Sequence, residues 1–399
     1  MANESYYHSL LQERSTDIAL GSTILIIIGA LVGMIGNSLI IHFYFFRIKE
    51  RGERYFIPLL AIVDFTGCIT SSSFYVMDNT FLFNYPSSAA CRLLSFLQIC
   101  IPGISGHVLL IISIQRYLLI CKPFGPKMTL FWKRFAFGIA CIISIVYSVP
   151  LLKTSGVSEE DNASLGYNFT TYICRFSVGS SPGMSAYFAL LFLIMVANLS
   201  ITAGLYIPVL KRINISRGFK NKNYHIQNEN NISSQTESSN APEIEMDANN
   251  HGKTDIESQP KFINDSFKKG KFKPSEGKCD VSKVVQINKQ VQTGHGAKEK
   301  KSVSKSDAAQ KRITIMFFVL ILAYIISYTP PLIISIVFYA LDGFTFITMS
   351  KAELAMCFYL TRLVFLNHIV NPFVYGYFDT MFRNRLVKLC TRKKSLPLA

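Results

Sequence analysis

Long apolar segments constrain the fold of this chain more than any other feature. About 20 apolar residues in a helix cross the roughly 30 Å hydrocarbon core of a bilayer. Seven such segments follow one another, at 24–46, 56–77, 93–121, 135–152, 186–210, 313–341 and 354–377. Half of the 399 residues are hydrophobic and only 17% are charged, which disfavours a soluble globular fold. The sequence therefore predicts an all-α membrane protein, a seven-transmembrane helix bundle.

The positive charges indicate how the chain is oriented. The formal net charge of +16 would suit a nucleic-acid partner, but its distribution follows membrane topology instead. The connection 47–54 carries four Lys or Arg residues, whereas the segment before the first span carries only Arg14. Basic residues recur at 122–134 and 383–394. Because Lys and Arg concentrate on the cytoplasmic side, we expect a multi-pass plasma-membrane protein with an extracellular N-terminus and no nucleic-acid partner.

Composition also predicts how the chain is organised. We expect an extracellular N-terminal tail at 1–21, transmembrane helices 1–5 at 22–212, a disordered third cytoplasmic loop at 213–308, helices 6 and 7 at 309–377, and an amphipathic eighth helix with the cytoplasmic tail at 378–399. The third loop is rich in Asn, Ser, Lys, Gln and Glu without a sustained apolar period, so its burial cannot offset its ordering entropy. No cleaved signal peptide is expected, because no charged segment with a short apolar stretch precedes the first span.

The segment after the seventh span has the pattern of a helix that lies on the inner leaflet. Apolar residues recur at helical spacing at Phe378, Phe382, Leu386 and Leu389, with basic residues between them. That pattern is typical of an interfacial amphipathic helix. Cys390 at its end is a candidate for palmitoylation, and an unmodified thiol remains an open alternative.

The predicted extracellular face carries two kinds of covalent modification. Most of the nine cysteines lie inside spans, but Cys91 and Cys174 lie in outer connections, where disulfides persist. We expect a bridge between them. Asn3, Asn162 and Asn168 begin glycosylation sequons on the same face.

Five polar residues fall near the middle of apolar spans, where they are costly and therefore informative. They are Asn37, Asp64, Ser105, Asn367 and Asn371. If they converge, they could hydrate a sodium ion or share a proton at Asp64. They could equally link the helices through hydrogen bonds without any ion, and both interpretations remain open.

Six motifs occur in a particular order along the chain. They are Gly36-Asn37, Leu60-Ala61-Ile62-Val63-Asp64, Cys91 placed 25 residues before Arg116, Tyr206, Tyr328-Thr329-Pro330 and Asn371-Pro372-Phe373-Val374-Tyr375. In this order and spacing the chain resembles the rhodopsin-like family of G-protein-coupled receptors. The resemblance covers the chain apart from the N-terminal tail, the third cytoplasmic loop and the C-terminal end.

The resemblance implies a signalling function and a set of partners. A member of the family binds an extracellular ligand and activates a heterotrimeric G protein by an outward swing of helix 6. Arrestin, receptor kinases and membrane lipid are further implied partners. No catalytic activity is implied, and no cofactor apart from a sodium ion at Asp64.

The resemblance also assigns roles to residues at the inner side. Arg116, within the triplet Gln115-Arg116-Tyr117, is expected to pair locally at rest and to face the G protein when active. The remaining switch residues implied by the family are Tyr206, Gln310, Tyr328, Pro330, Asn371, Pro372 and Tyr375. Proline removes a backbone hydrogen bond inside a helix, so Pro330 and Pro372 are expected to form hinges.

The chain departs from the family at several of these positions. Gln115 stands where most relatives have an acid beside the arginine, and Gln310 stands where many have glutamate. Neither can form a charge-assisted pair with Arg116, so only neutral hydrogen bonds remain. We therefore expect a loosely closed resting state with basal signalling. Tyr328 replaces the usual tryptophan, and Asn198 stands in place of the fifth-helix proline.

Two positions in the outer half restrict the ligand class. Gln98 occupies the site where amine receptors of the family carry aspartate, which disfavours a biogenic amine. Phe365 occupies the place of the retinal-linking lysine of opsins, which excludes a Schiff base. Glutamine at the former site is similar to neuropeptide receptors of the orexin and neuropeptide FF groups. A peptide is the favoured ligand.

Charged residues on the outer side are further candidates for ligand binding. The acidic run Glu159, Glu160 and Asp161 could attract a basic peptide, or could only be solvated. Arg362, inside the seventh span, could pair with Asp78 or receive a carboxylate of the ligand.

Other functional classes have less support. The histidines share no metal-ligand spacing, and no nucleophile elbow or phosphate-binding glycine loop occurs, so neither a metal site nor an enzyme is expected. A transporter should show repeated halves, and no repeat is evident. A constitutively active orphan receptor, a non-coupling receptor and, with least support, a channel or transporter remain alternatives.

Overall fold

Helices form most of the structure, which is a computed structural model that describes residues 2–48, 52–164, 167–176, 182–237, 297–340 and 349–392. The helices are Ala2–His42, Phe56–Thr80, Ser88–Cys121, Leu130–Ser148, Leu151–Thr154, Pro182–Glu237, Ala297–Ala340, Lys351–Thr361, Leu366–Phe378 and Thr380–Arg392. A 3₁₀ turn, Arg362–Phe365, joins the two helices of the seventh span.

Within the described residues, seven helices are long and apolar enough to cross a membrane. These spans are Thr16–Arg47, Gly52–Thr80, Ser88–Cys121, Leu130–Thr154, Gly183–Ile215, Ala309–Ile334 and Lys351–Phe378. Each coincides with one predicted apolar segment, so the predicted fold class is confirmed.

The chain divides into two compact units, one of Met1–Arg217 with Asp307–Ala399 and one of Gly218–Ser306. The first unit contains the seven spans. The described part of the second is helical, at 218–237 and 297–306. Helix thus occupies both ends of the expected disordered loop, because extending an existing helix avoids the cost of nucleation. The prediction of disorder for 238–296 falls outside the described residues.

The fourth span buries small residues and exposes large apolar ones. In the fourth span Ala140, Ser144 and Ser148 are buried at intervals of four residues, whereas Ile142 and Val146 are 62% and 65% exposed. Residues four apart share a helix face. Lipid solvates the large apolar face, so the helices pack through small residues that allow close approach.

A hairpin lies in the connection between the fourth and fifth spans, on the side that was predicted to be extracellular. Strand β1, Gly156–Ser164, pairs antiparallel with strand β2, Tyr167–Arg175. Cys174 in β2 is bonded to Cys91 at the start of the third span, with their Cα atoms 5.7 Å apart. The predicted disulfide is therefore present. The backbone of Tyr172 also bonds Phe83 and Tyr85 in the preceding outer connection, which ties two connections together.

The surface helix on the inner side begins later than its apolar pattern predicts. Phe378 is the last residue of the seventh span, and Asp379 has extended backbone before the helix that begins at Thr380. The Oδ1 of Asp379 accepts hydrogen bonds from the amides of Met381 and Phe382. An aspartate that caps a helix in this way ends one helix and starts the next. The surface helix thus begins at Thr380, two residues after Phe378.

Candidate functional site

The inner end of the third span places Arg116 in a fully buried position. Its Nη1 lies 2.7 Å from the Oε2 of Glu53, and its Nη2 donates to the backbone carbonyl of Glu53 at 2.9 Å. On its other side the guanidinium lies 4.7 Å from the centre of the Phe317 ring in the sixth span. Arg116 is thus enclosed by a carboxylate and an aromatic face.

The expectation that Arg116 has only neutral partners is wrong, because Glu53 supplies a carboxylate from the first inner connection. Gln115 does not replace it: within the described residues its buried Oε1 has no hydrogen-bond partner. Gln310 contributes indirectly, since its Nε2 donates to the Oε1 of Glu53 at 3.1 Å. Our sequence interpretation treated the connection 47–54 only as a basic segment. The two acids within it, Glu50 and Glu53, were the available signal.

The other predicted switch residues are distributed along the bundle. The hydroxyl of Tyr206 donates to the carbonyl of Thr314 at 3.1 Å and so links the fifth and sixth spans. Tyr117 packs against the main apolar core, and Tyr375 is fully buried. The two predicted hinge prolines, Pro330 and Pro372, lie inside helices of the sixth and seventh spans.

A cluster of tyrosines at mid-membrane joins the third, fifth and sixth spans. Tyr324 donates its hydroxyl to the Oδ1 of Asn198 at 3.2 Å. A Cβ added to Gly106 would lie 2.6 Å from that hydroxyl oxygen. Tyr328 stands next to Tyr324, with their ring centres 4.6 Å apart, and donates to the carbonyl of Pro102. The substituted positions Asn198 and Tyr328 therefore belong to one interhelical network.

Four of the five predicted polar residues converge on one another. The Oδ1 of Asp64 accepts from Ser105 at 3.3 Å, and its Oδ2 accepts from the amide of Asn371. Asn367 donates to the hydroxyl of Ser105 at 3.0 Å. Asn37 lies nearby but donates to a backbone carbonyl, that of His368.

His368 is a member of this polar cluster that sequence reasoning missed. Its Nδ1 lies 2.9 Å from the Oδ1 of Asp64, and both side chains are fully buried. A Cβ at Gly67 would lie 2.7 Å from the imidazole, so that glycine makes room for the ring. Sequence reasoning had considered the histidine only as a metal ligand. The signal in the sequence was Asp64, an acid in the second span.

Nitrogen atoms of His368 and Asn371 contact the two oxygens of Asp64, which counts against a sodium ion there. The Oδ1 atoms of Asn37 and Asn367 have no hydrogen-bond partner among the described residues and are the kind of oxygen that such an ion would use. We expect hydrogen bonds alone to link the spans, and a sodium ion at Asp64 stays an untested alternative.

The outer half of the bundle contains a second polar group. Gln98 is buried and donates its amide to the hydroxyl of Tyr75 at 2.6 Å, while its Oε1 has no partner among the described residues. Arg362 forms an ion pair with Asp78 and donates to Asn79 at 2.9 Å. The guanidinium also lies 5.3 Å from the ring centre of Tyr75. Gln98 and Arg362 are therefore joined through one tyrosine.

Tyr85 lies above this group in the outer connection. Burial, and secondarily the negative charge of Asp78, raises the pKa of Tyr85 to about 12. Its buried hydroxyl therefore stays protonated at neutral pH, and it has no hydrogen-bond partner within the described part of the chain.

The acidic run lies in strand β1 of the hairpin. Glu159 is exposed, and the backbones of Glu160 and Asp161 pair with Thr171 and Thr170. The side chains of Glu160 and Asp161 lie outside the described set, so the predicted attraction of a basic peptide stays a prediction.

The predicted modification sites fall at the two ends of the chain and in the hairpin. Asn162 and Asn168 are in the two strands, near the connection that joins them, and Asn3 is in the first helix. Cys390 lies in the helix Thr380–Arg392. The side chains of all four lie outside the described set, so glycosylation and palmitoylation stay predictions.

Comparison with known proteins agrees with this geometry. The sequence pattern described as 7 transmembrane receptor (rhodopsin family) matches residues 36–375. The chain is 30% identical to Melanopsin of Branchiostoma belcheri over 38% of this chain and 23% of that protein. It is 30% identical to Cephalotocin receptor 1 of Octopus vulgaris over 35% of this chain and 36% of that protein.

Further similarities extend to another receptor and to a solved structure. The chain is 30% identical to the Neuropeptide S receptor of Mus musculus over 34% of this chain and 36% of that protein. The matched part thus spans between about a quarter and a third of the length of these relatives. The crystal structure of squid rhodopsin superposes with a TM-score of 0.61 at 13% identity, over 96% of this chain and 87% of that one, which shows a common fold.

Proposed function

Because this chain belongs to the rhodopsin family of seven-transmembrane receptors, a family of receptors and not of enzymes, we propose that it binds an extracellular peptide and activates a heterotrimeric G protein. In this proposal the N-terminus faces outward at the plasma membrane and the surface helix lies on the inner leaflet. The proposal has two parts, the class of ligand and the route of activation.

The environment of Gln98 supports a peptide ligand most directly. An ammonium ligand needs a carboxylate partner, whereas the free Oε1 of Gln98 is a neutral acceptor suited to a peptide N–H. The nearby carboxylate of Asp78 is already paired with Arg362. Burying a polar atom unpaired is costly, so a ligand amide that pairs with Gln98 would bind favourably.

The comparisons support the same class of ligand. Among the similar proteins are a cephalotocin receptor, a neuropeptide S receptor and a [Phe13]-bombesin receptor. The similarity to a melanopsin does not extend to a retinal linkage, because Phe365 is buried where opsins carry the lysine.

The contacts of the sixth span support activation by its outward movement. The span is held inward by Tyr206, which bonds Thr314, and by Phe317, which stacks on Arg116. Pro330 interrupts its hydrogen bonds farther out. Movement of the inner end about this point would break both contacts and uncover Arg116 for the G protein.

The same inner surface would receive the further partners. Arrestin and receptor kinases are proposed to bind the activated form there. The surface helix buries Phe382 and exposes Arg383, Arg385 and Lys388, a distribution that suits contact with anionic lipid.

A peptide library tested on transfected cells, with calcium and cyclic-AMP readouts, tests this proposal. An active peptide should lose about tenfold in potency at Gln98→Ala, since leaving its buried N–H without an acceptor costs about 1–3 kcal/mol and about 1.4 kcal/mol is a factor of ten. Ser73→Ala is the matched control, because Ser73 is exposed on the second span.

Two results would contradict the proposal. One is activation by amines with no response to any peptide. The other is a membrane current that persists when G proteins are blocked, which would indicate a channel.

A further inference from the structure

The turn Gly52–Arg54, at the beginning of the second span, contacts four other elements at the inner side. We name these three residues the inner clasp. Glu53 contacts the third and sixth spans, Arg54 contacts the start of the surface helix, and Gly52 contacts the fourth span. The turn therefore joins elements that are far apart in sequence.

Glu53 is the central residue of the inner clasp. One carboxylate oxygen lies 2.7 Å from Arg116, and the other accepts from Gln310 at 3.1 Å. Its side chain is 26% exposed, while that of Arg116 is not exposed at all. Among the described residues, Glu53 is the acid that pairs with Arg116. A buried guanidinium is strongly destabilised when its acid is removed, so the pair is important for the closed arrangement.

Arg54 and Gly52 fix the position of Glu53 from both sides. The Nε of Arg54 lies 2.8 Å from the Oδ2 of Asp379, which also accepts from the hydroxyl of Tyr44. Gly52 has a φ of 43°, in the left-handed region that favours glycine. Its carbonyl accepts from Lys133 at 3.0 Å. The backbone of the turn is thus held at both flanks of Glu53.

We propose that Glu53 is the anionic residue that keeps Arg116 in the resting position and the inner end of the sixth span closed. It performs this role in place of an acid at Gln115 or Gln310. The proposal rests on the proposed function, because the released Arg116 would face the G protein.

The proposal reverses the expectation drawn from the triplet alone. Two glutamines beside an arginine suggest a loose resting state and basal signalling. A carboxylate supplied from the first inner connection instead predicts low basal signalling. Opening of the sixth span must break the Gln310–Glu53 hydrogen bond and separate Phe317 from Arg116.

Basal activity of Glu53→Gln tests the proposal. Nucleotide exchange on added G protein, without ligand and corrected for receptor amount, should rise by about tenfold, since a charged hydrogen bond typically contributes enough for that ratio. Glu13→Gln makes the same chemical change at an exposed residue of the first helix and should leave basal exchange unchanged.

A second variant distinguishes loss of the acid from general damage. Gln115→Asp introduces a carboxylate beside Arg116 on the same helix, so in the Glu53→Gln background it should restore low exchange. In the wild-type background Gln115→Asp should change basal exchange little, because Arg116 is already paired.

A conformational measurement separates this proposal from the proposed function. Spin labels at Phe124→Cys and Ala309→Cys, in a background with the native thiols outside the disulfide replaced by serine, report the distance between the third-span connection and the sixth span. Glu53→Gln should shift the distances to longer values. Unchanged distances together with unchanged basal exchange would overturn the role of Glu53. Longer distances without exchange on any G protein would support that role and contradict the proposed function instead.

Discussion

Substitution of Gly106 by alanine should force apart the third and sixth spans. The new Cβ would lie 2.6 Å from the hydroxyl oxygen of Tyr324 and 3.2 Å from its Cζ. Tyr324 is itself buried and bonded to Asn198 on the fifth span. The ring therefore cannot move away without losing that hydrogen bond.

The loss of stability expected for Gly106→Ala can be compared with that of a matched substitution, Gly138→Ala. Overpacking of this kind costs about 1–3 kcal/mol, and an interhelical hydrogen bond in a membrane contributes about 0.6 kcal/mol more. Replacing a helical glycine also gains up to about 1 kcal/mol in propensity. Gly138→Ala has the same gain, and no described atom lies within 4 Å of its added Cβ. The two alanine variants should therefore differ in unfolding free energy by about 1.5–3.5 kcal/mol.

Equilibrium unfolding of the purified receptor in detergent, in wild-type and Tyr324→Phe backgrounds, measures this difference. Tyr324→Phe removes the oxygen that the Cβ of Gly106→Ala would meet, so most of the penalty should disappear in the double variant. Equal penalties in the two backgrounds would refute the idea that the Tyr324 hydroxyl fills the space left by Gly106.

Three further predictions concern other parts of the chain. Gly52→Ala should lower the free energy of unfolding by about 1–2 kcal/mol, because the backbone of Gly52 is left-handed. Basal nucleotide exchange should rise, but less than in Glu53→Gln. A fall in basal exchange would contradict the role of the inner clasp. The wild-type protein should unfold at the same temperature in sodium chloride as in choline chloride, whereas His368→Ser should become more stable in sodium chloride. Stabilisation of the wild type by sodium would contradict the expectation that hydrogen bonds alone link the spans at Asp64. Cys174→Ser should lower the free energy of unfolding by up to about 4.5 kcal/mol, on the chain-entropy estimate for a loop of this size. Unchanged stability would argue against the bridge.

The fold was predictable because the bilayer restricts which sequences can cross it. Each span needs a long apolar segment, and seven of them could be read directly. Asp64 and Asn371 could be placed together because an acid in hydrocarbon needs partners. Cys91 and Cys174 could be paired because both were predicted to lie on the extracellular side, where disulfides persist.

The inner site was less predictable because its contacts depend on the path of a short turn. Glu53 stands 63 residues before Arg116, and nothing in the spacing shows that it turns inward. His368 was missed for a related reason. The rotation of the seventh span about its own axis decides which of its faces meets Asp64. The pairing of Gly106 with Tyr324 requires knowledge of how closely two helices approach.

The 3₁₀ turn of the seventh span lies between two polar groups, the outer one around Gln98 and Arg362 and the inner one around Asp64. Arg362 begins this four-residue turn, and His368 and Asn371 follow it in the next helix. A 3₁₀ residue turns about 120° and rises about 2.0 Å, against about 100° and 1.5 Å for an α-helical residue. Each residue that relaxes to α-helix would therefore rotate the inner half by about 20° and draw it outward by about 0.5 Å. A shift of this turn toward α-helix would therefore rotate the helix that carries His368 and Asn371, and would change their contacts with Asp64.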